Sequence, residues 1–198
     1  MISIYKLKSR FQTLLKPLMR VLRNIGFTPN MITISSVLLS AIISYFFYHA
    51  FQKPNFFLIV SIGLFTRMML NAIDGMMAEA YNMKSSLGEV LNETGDIISD
   101  ILIFYPLLFF DFLNFHIAFA FIIFSVINEL CGILPKIISG CRRYDGPMGK
   151  SDRAFLIGII CLVSYFSPVL YVYMNLIFLA AILLIMISSF LRIKKSLI

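Results

Sequence analysis

Charge is scarce in this sequence. Only 14% of its 198 residues are Asp, Glu, Lys or Arg, against 60% that are hydrophobic, a mixture that excludes an ordinary water-soluble domain. The three cysteines, Cys131, Cys141 and Cys161, have no CxxC or Cys/His spacing. Neither a zinc site nor a redox pair is therefore expected, and each reads as a structural apolar residue in or beside a helix. No Pro/Gly/Ser-rich linker, low-complexity tract or repeat divides the chain, which reads as one domain over 1–198. The first apolar run follows a basic segment and is not followed by a small-residue cleavage site. That pattern reads as a retained anchor rather than a removed leader.

What the sequence does contain is a series of apolar runs long enough to cross a bilayer. We read six, at 31–50, 55–77, 87–110, 115–139, 154–173 and 175–190. The expected fold is all-α: a polytopic membrane protein with six transmembrane helices over 31–190 and an N-terminal interfacial amphipathic helix over 1–28. In that leading segment Lys6, Lys8, Arg10, Lys16, Arg20 and Arg23 interleave with Phe11, Leu14, Leu15, Leu18, Met19 and Leu22 at helical spacing. Such a helix suits an anionic inner leaflet, with Pro17 a site for a kink. Gly26 and Pro29 end it, and Asn30 reads as the cap of the first span.

The formal net charge of +7 comes from residues that flank apolar spans rather than from an exposed stripe, so nucleic acid is not an expected partner. Lys84 lies in the second connection, Arg142, Arg143, Lys150 and Arg153 in the fourth, and Arg192, Lys194 and Lys195 in the tail. The turns on the other side, around Lys53, Asp111 and Pro168, contain one basic residue, Lys53. This bias predicts that both termini are cytoplasmic.

Ionisable groups at membrane depth are costly and face a bundle interior or a wet cavity. In the second span Arg67, Asn71, Asp74 and Ala78 share one helical face, and Gly75 leaves room beside Asp74. In the third, Asn92, Asp96 and Asp100 recur every four residues, with Glu89 and Glu93 on adjacent turns. Both ladders adjoin the connection 79–86, so a helical hairpin brings them together near the cytoplasmic face. Carboxylates gathered in low dielectric need a compensating cation. A hard Mg²⁺ or Mn²⁺ suits Asp and Asn oxygens, and no histidine is close enough in sequence to argue for zinc; His116 reads as interfacial. A plainer reading pairs Arg67 with Asp74 and lets the remaining polar groups bond across helices. Ser86-x-x-Glu89 also reads as a capping box.

Written out, Asn71-Ala-Ile-Asp74-Gly75-Met-Met-Ala78-Glu79, eight residues, then Gly88-x-x-x-Asn92-x-x-x-Asp96 resembles the CDP-alcohol phosphatidyltransferase signature D-x-x-D-G-x-x-A-R-x8-G-x-x-x-D-x-x-x-D. Its spacing is complete. Asp74, Gly75, Ala78, Gly88 and Asp96 match, whereas Asn71 and Asn92 stand for aspartates and Glu79 for arginine. Thr28-Pro29-Asn30-x-x-Thr33 and the basic segment Gly146–Arg153 also resemble that family, so the likeness covers nearly the whole chain.

The resemblance implies transfer of a phosphatidyl or other substituted phosphate group from a CDP-linked donor such as CDP-diacylglycerol to an alcohol acceptor, with release of CMP, in phospholipid biosynthesis. It implies Asn71, Asp74, Asn92 and Asp96 around Mg²⁺ or Mn²⁺, Asp96 as general base, and Gly75, Ala78 and Gly88 beside the nucleotide. It also implies Lys150 and Arg153 near anionic substrate groups, a homodimer among membrane lipids, and a bacterial inner membrane. Glu93, Asp100 and Arg67 are candidates to compensate for the altered positions. Glu129, beside Asn128 in the fourth span, either lines an acceptor pocket or pairs with a basic residue. Two further readings stay open: a catalytically silent relative that binds lipid or a partner, and a transporter using Asp74, Asp96, Asp100 and Glu129.

Overall fold

The computed structural model describes residues 4–197, with side chains from Phe11 onward except Ser139. The basic side chains Lys6, Lys8 and Arg10 lie outside the described ones. The described residues form helices α1 (Ile4–Asn24), α2 (Pro29–Tyr48), α3 (Asn55–Ala80), α4 (Ser86–Phe104), α5 (Phe115–Ile133), the short α6 (Pro135–Ser139), α7 (Lys150–Phe166) and α8 (Met174–Lys194).

Polarity is inverted relative to a water-soluble fold. Leu38, Ile42, Ile62, Phe65, Ile187 and Phe190 are exposed, while Arg67, Asp100, Glu129 and Arg153 are buried. This is the distribution that a lipid solvent demands. Four stretches are long and apolar enough to cross a membrane: Pro29–Tyr48, Asn55–Ala80, Phe115–Ile138 and Pro168–Lys194. Helices α4 and α7 fall outside that group: α4 carries Glu89, Glu93, Asp96 and Asp100 along its length, and α7 is only 17 residues long and opens on Lys150, Asp152 and Arg153.

Proline sets several boundaries. Helix α5 stops at Ile133, ahead of Pro135. Helix α7 ends at Phe166 because Pro168 drives Ser167 into an extended conformation, and a 3-10 turn over Pro168–Tyr173 leads to α8. A second 3-10 turn, Tyr105–Phe109, follows α4 around Pro106. Two expected caps are corrected. Pro29 occupies the first turn of α2, so Thr28 is the cap and accepts from the Met31 amide. The extended residue before α4 is Ser85, whose hydroxyl accepts from Gly88, and Glu89 pairs with Lys136 instead of closing a box with Ser86.

Helix α2 packs against α3 and α4, α3 against α7, and α5 against α8. A large apolar core, including Phe47, Leu64, Phe104, Phe121 and Phe178, fills one end of the bundle. A smaller cluster joins Leu15 and Met19 of α1 to Ile32, Ile73 and Met77. The helix α1 runs through Pro17 and docks on α3 by that face, leaving Leu14, Leu18 and Val21 exposed. Between these two apolar regions lies the polar band. Its helices approach closely where Gly95 of α4 meets Val37 of α2; a β-carbon there would sit 3.0 Å from Val37 Cγ2.

The loop before α7 is tied to α8. The Met148 amide donates to Ser188 Oγ, and Arg192 Nε donates to the Asp145 carbonyl. Lys195 donates to the Asp145 carboxylate and holds it below the usual carboxylate range, so this clasp is present at neutral pH and is lost as acid titrates that carboxyl. Gly146 has φ +107°, and a β-carbon would lie 2.4 Å from Ser188 Cα. Gly146→Ala combines backbone strain with that collision. It is expected to cost about 2 kcal/mol or more, read as a lowered melting temperature of the purified protein in detergent.

Candidate active site

The two polar ladders converge as the hairpin predicts, and α2 contributes a third wall. Asp74, nearly buried, accepts from Thr33 Oγ1 at 2.9 Å through Oδ2 and from the Gly75 amide at 2.6 Å through Oδ1. Asn71 accepts from Ser36 Oγ at 2.6 Å and directs its Nδ2 toward Asp96 Oδ1 at 3.5 Å. The other Asp96 oxygen accepts from Lys150 Nζ. Asp74, Asn71 and Asp96 therefore lie at one depth, with Lys150 on their outer side.

Gly75 is exposed, and a β-carbon there would meet nothing within 4 Å, so open space adjoins Asp74. Ala78 is half-buried one turn along the same face. Gly88 touches α2: a β-carbon would come 2.8 Å from Asn30 Oδ1. Asn92 is half-buried one turn before Asp96. Glu79 points away from the group. It is exposed and lies 3.6 Å from the equally exposed Lys84.

Behind this opening is a closed ionic network. Arg67 faces Asp100 Oδ1 at 3.6 Å and Asp96 Oδ1 at 3.9 Å rather than pairing with Asp74, and its Nε and Nη2 have no hydrogen-bond partner among the described residues. Arg153 is 0% exposed; it donates to Asp100 Oδ2 and Glu129 Oε1, both at 2.7 Å, and to Asn128 Oδ1 at 3.0 Å. Arg142, read from sequence chiefly as an orientation signal, bridges Glu93 and Glu129, each at 2.5 Å. Of the two roles left open for Glu129, the structure displays the basic pairing. Glu93 and Asp100 are likewise engaged by arginines.

Two contributors escaped the sequence reading. Ser36 positions Asn71, and Thr33, Ser36 and Ser40 recur at helical steps on α2, a signal hidden by the shortness of their side chains. Arg192, taken there as a tail charge, is buried and donates to the Asn128 carbonyl at 2.6 Å.

Among the described residues no three His, Cys, Asp or Glu side chains gather at one point as metal ligands. The donor set nevertheless fits one hard divalent ion in kind: two carboxylates, Asp74 and Asp96, with the amides of Asn71 and Asn92 on the facing helices and open space at Gly75.

Comparison with known proteins converges on one family. The CDP-alcohol phosphatidyltransferase family matches residues 27–187. The Escherichia coli K12 inner membrane protein YnbA is 42% identical over 157 residues, 79% of this chain and 78% of its own. Archaetidylinositol phosphate synthase of Pyrococcus horikoshii is 28% identical over 159 residues, 80% of this chain and 82% of its own. Phosphatidylinositol phosphate synthase of Mycobacterium tuberculosis, solved with CDP-DAG bound, shares the fold with a TM-score of 0.75 at 19% identity, covering 93% of this chain and 94% of its own; the same enzyme was solved with manganese and citrate. With a matched segment that spans both polar ladders and the basic loop, this chain is an integral membrane protein of the CDP-alcohol phosphatidyltransferase family.

Proposed function

We propose that this protein transfers a substituted phosphate group from a CDP-linked lipid donor to an alcohol, releasing CMP, in phospholipid synthesis. The observation that carries the reading is the convergence of Asp74, Asn71 and Asp96 beside the open face at Gly75. The acceptor hydroxyl oxygen forms a bond to the donor phosphorus, the phosphorus bond to CMP breaks, and Asp96 takes the hydroxyl proton. A divalent ion held by Asp74, Asp96 and the amide oxygens of Asn71 and Asn92 would supply polarisation of the pyrophosphate.

Thr33 and Ser36 hold Asp74 and Asn71 in orientation, the space at Gly75 and Ala78 admits the nucleotide, and Gly88 keeps α2 and α4 in contact. Lys150 faces the pyrophosphate. Arg153, Arg67, Asp100 and Glu93 position the site from behind. The departure at Glu79 is tolerated because its side chain turns to Lys84 and away from the anion site.

The chain is proposed to cross the membrane six times, with α4 and α7 as the two polar spans, both termini cytoplasmic, α1 against the inner leaflet and the site at that face. It acts as a single domain and as a homodimer. A transport path is disfavoured because the band ends against the apolar residues Leu64, Phe104, Phe121 and Phe178.

The test is CMP release by purified protein given CDP-diacylglycerol, Mg²⁺ or Mn²⁺ and a panel of alcohols that includes inositol phosphate, glycerol phosphate, serine and inositol. Metal-dependent release with one acceptor is expected. Persistent silence from folded protein that binds the donor would favour the silent-relative reading.

A further inference from the structure

We infer that Lys150 is a movable resident cation at Asp96, which exchanges the carboxylate for the donor's pyrophosphate and so makes metal and donor binding mutually dependent. This inference rests on the phosphotransferase reading above.

Asp96 already has a cationic partner. Lys150 donates directly to Oδ2, whereas Arg67 stays 3.9 Å from Oδ1, beyond a hydrogen bond. Asn71 approaches the same carboxylate by its nitrogen, because its carbonyl oxygen is taken by Ser36. The residues at 71 and 92 are amides and add no negative charge, while Glu93 and Asp100 are held by Arg142 and Arg153. Asp74 and Asp96 therefore supply the available charge, and one of them already has an ammonium partner. A divalent ion arriving alone must displace that ammonium, and its affinity falls accordingly.

Lys150 is built to move. Its side chain is 22% exposed against 6% for Asp96, it stands at the first residue of α7, and its flexible stem carries a compact charge. Arg153, one turn later, is locked by three acceptors and stays in place. A pyrophosphate entering beside Gly75 offers anionic oxygens that hold an ammonium by charge-assisted bonds. Lys150 then leaves Asp96, whose oxygen becomes free for a metal ion. Reciprocity of linkage requires that each ligand tighten the other by the same factor.

The experiment measures Mn²⁺ affinity of the purified full chain by electron paramagnetic resonance of the free ion. It is done with and without CDP, correcting for Mn²⁺–CDP association in buffer, for the natural sequence, Lys150→Met and Lys150→Arg. CDP is expected to tighten Mn²⁺ binding by about tenfold or more in the natural sequence, within the usual span of coupling between sites. Lys150→Met is expected to bind Mn²⁺ alone about tenfold more tightly than the natural sequence and to gain little from CDP, while Lys150→Arg retains weak binding of the ion alone. Equal Mn²⁺ affinities for the natural sequence and Lys150→Met, or CDP binding that leaves Mn²⁺ affinity unchanged, would overturn the role of Lys150 and leave the phosphotransferase reading standing. Failure of CDP to bind any of the proteins would overturn both. If Lys150→Met does not fold, the natural sequence alone still provides the overturning result, since bound CDP that leaves Mn²⁺ affinity unchanged contradicts the exchange, and Lys150→Gln supplies the comparison of Mn²⁺ affinity without CDP.

Discussion

Asp96→Asn is expected to reduce CMP release by roughly 10²- to 10⁴-fold, the range ascribed to a positioned general base. The substitution keeps the side-chain volume and one acceptor oxygen, so the packing of α4 against α2 at Gly95 is preserved. It removes both the base and the negative charge that Lys150 and Arg67 face. Part of the effect is structural, because two cations lose their counter-charge. Measuring CDP binding and the melting temperature beside the rate separates the two contributions: a structural defect lowers all three, whereas loss of the base lowers the rate most. A variant that retains release within a few-fold of the natural protein would show that Asp96 is not the base. Glu79→Gln is the matched control. Its carboxylate is exposed and pairs with the equally exposed Lys84, so a change below about threefold is expected, in line with the small worth of exposed pairs.

The second large effect is on stability. Arg153→Met leaves Asp100 and Glu129, both 2% exposed, without the guanidinium that joins them. Asp100 keeps Arg67 at 3.6 Å and Glu129 keeps Arg142 at 2.5 Å, so the charges are only partly stranded and the expected cost is about 3 kcal/mol, the low end for breaking a buried pair. The expected result is a steep fall in thermal stability and in the yield of folded protein in detergent. Neutralising the acids as well, in Arg153→Met with Asp100→Asn and Glu129→Gln, removes the stranded charges and is expected to recover more than half of the loss. A single variant as stable as the natural protein would mean that the network is not what holds α4, α5 and α7 together. The contrast with Lys150 is informative. Two basic residues one helical turn apart have different surroundings, Arg153 locked between helices by three acceptors and Lys150 partly exposed at the rim with Asp96 as its acceptor, and only the partly exposed one suits exchange with a substrate.

Much of the site is legible along the chain because it is local. Helical spacing alone aligns Arg67, Asn71 and Asp74 on α3 and Asn92, Asp96 and Asp100 on α4, and the short connection between those helices brings the ladders to one end. The cost of burying polar groups in lipid then makes a shared site the natural expectation. Helix ends are less legible: the caps at Thr28 and Ser85 depend on which residue takes the extended conformation, and neighbouring Asn30 and Ser86 are chemically suited to the same task.

By itself, then, the sequence determined the apolar helices, the inward polar faces and the variant signature, since each follows from periodicity and from the solvent that the chain must meet. Tertiary structure decided the partners. Arg67 meets Asp96 and Asp100 instead of Asp74, Arg142 reaches Glu93 and Glu129, Arg192 closes on Asn128, and Lys150 seats itself on Asp96. Those pairings join helices distant in sequence. They depend on the rotation and axial offset of each helix against its neighbours, fixed by close contacts such as Gly95 on Val37 and Gly146 on Ser188; no spacing along a single helix encodes that offset.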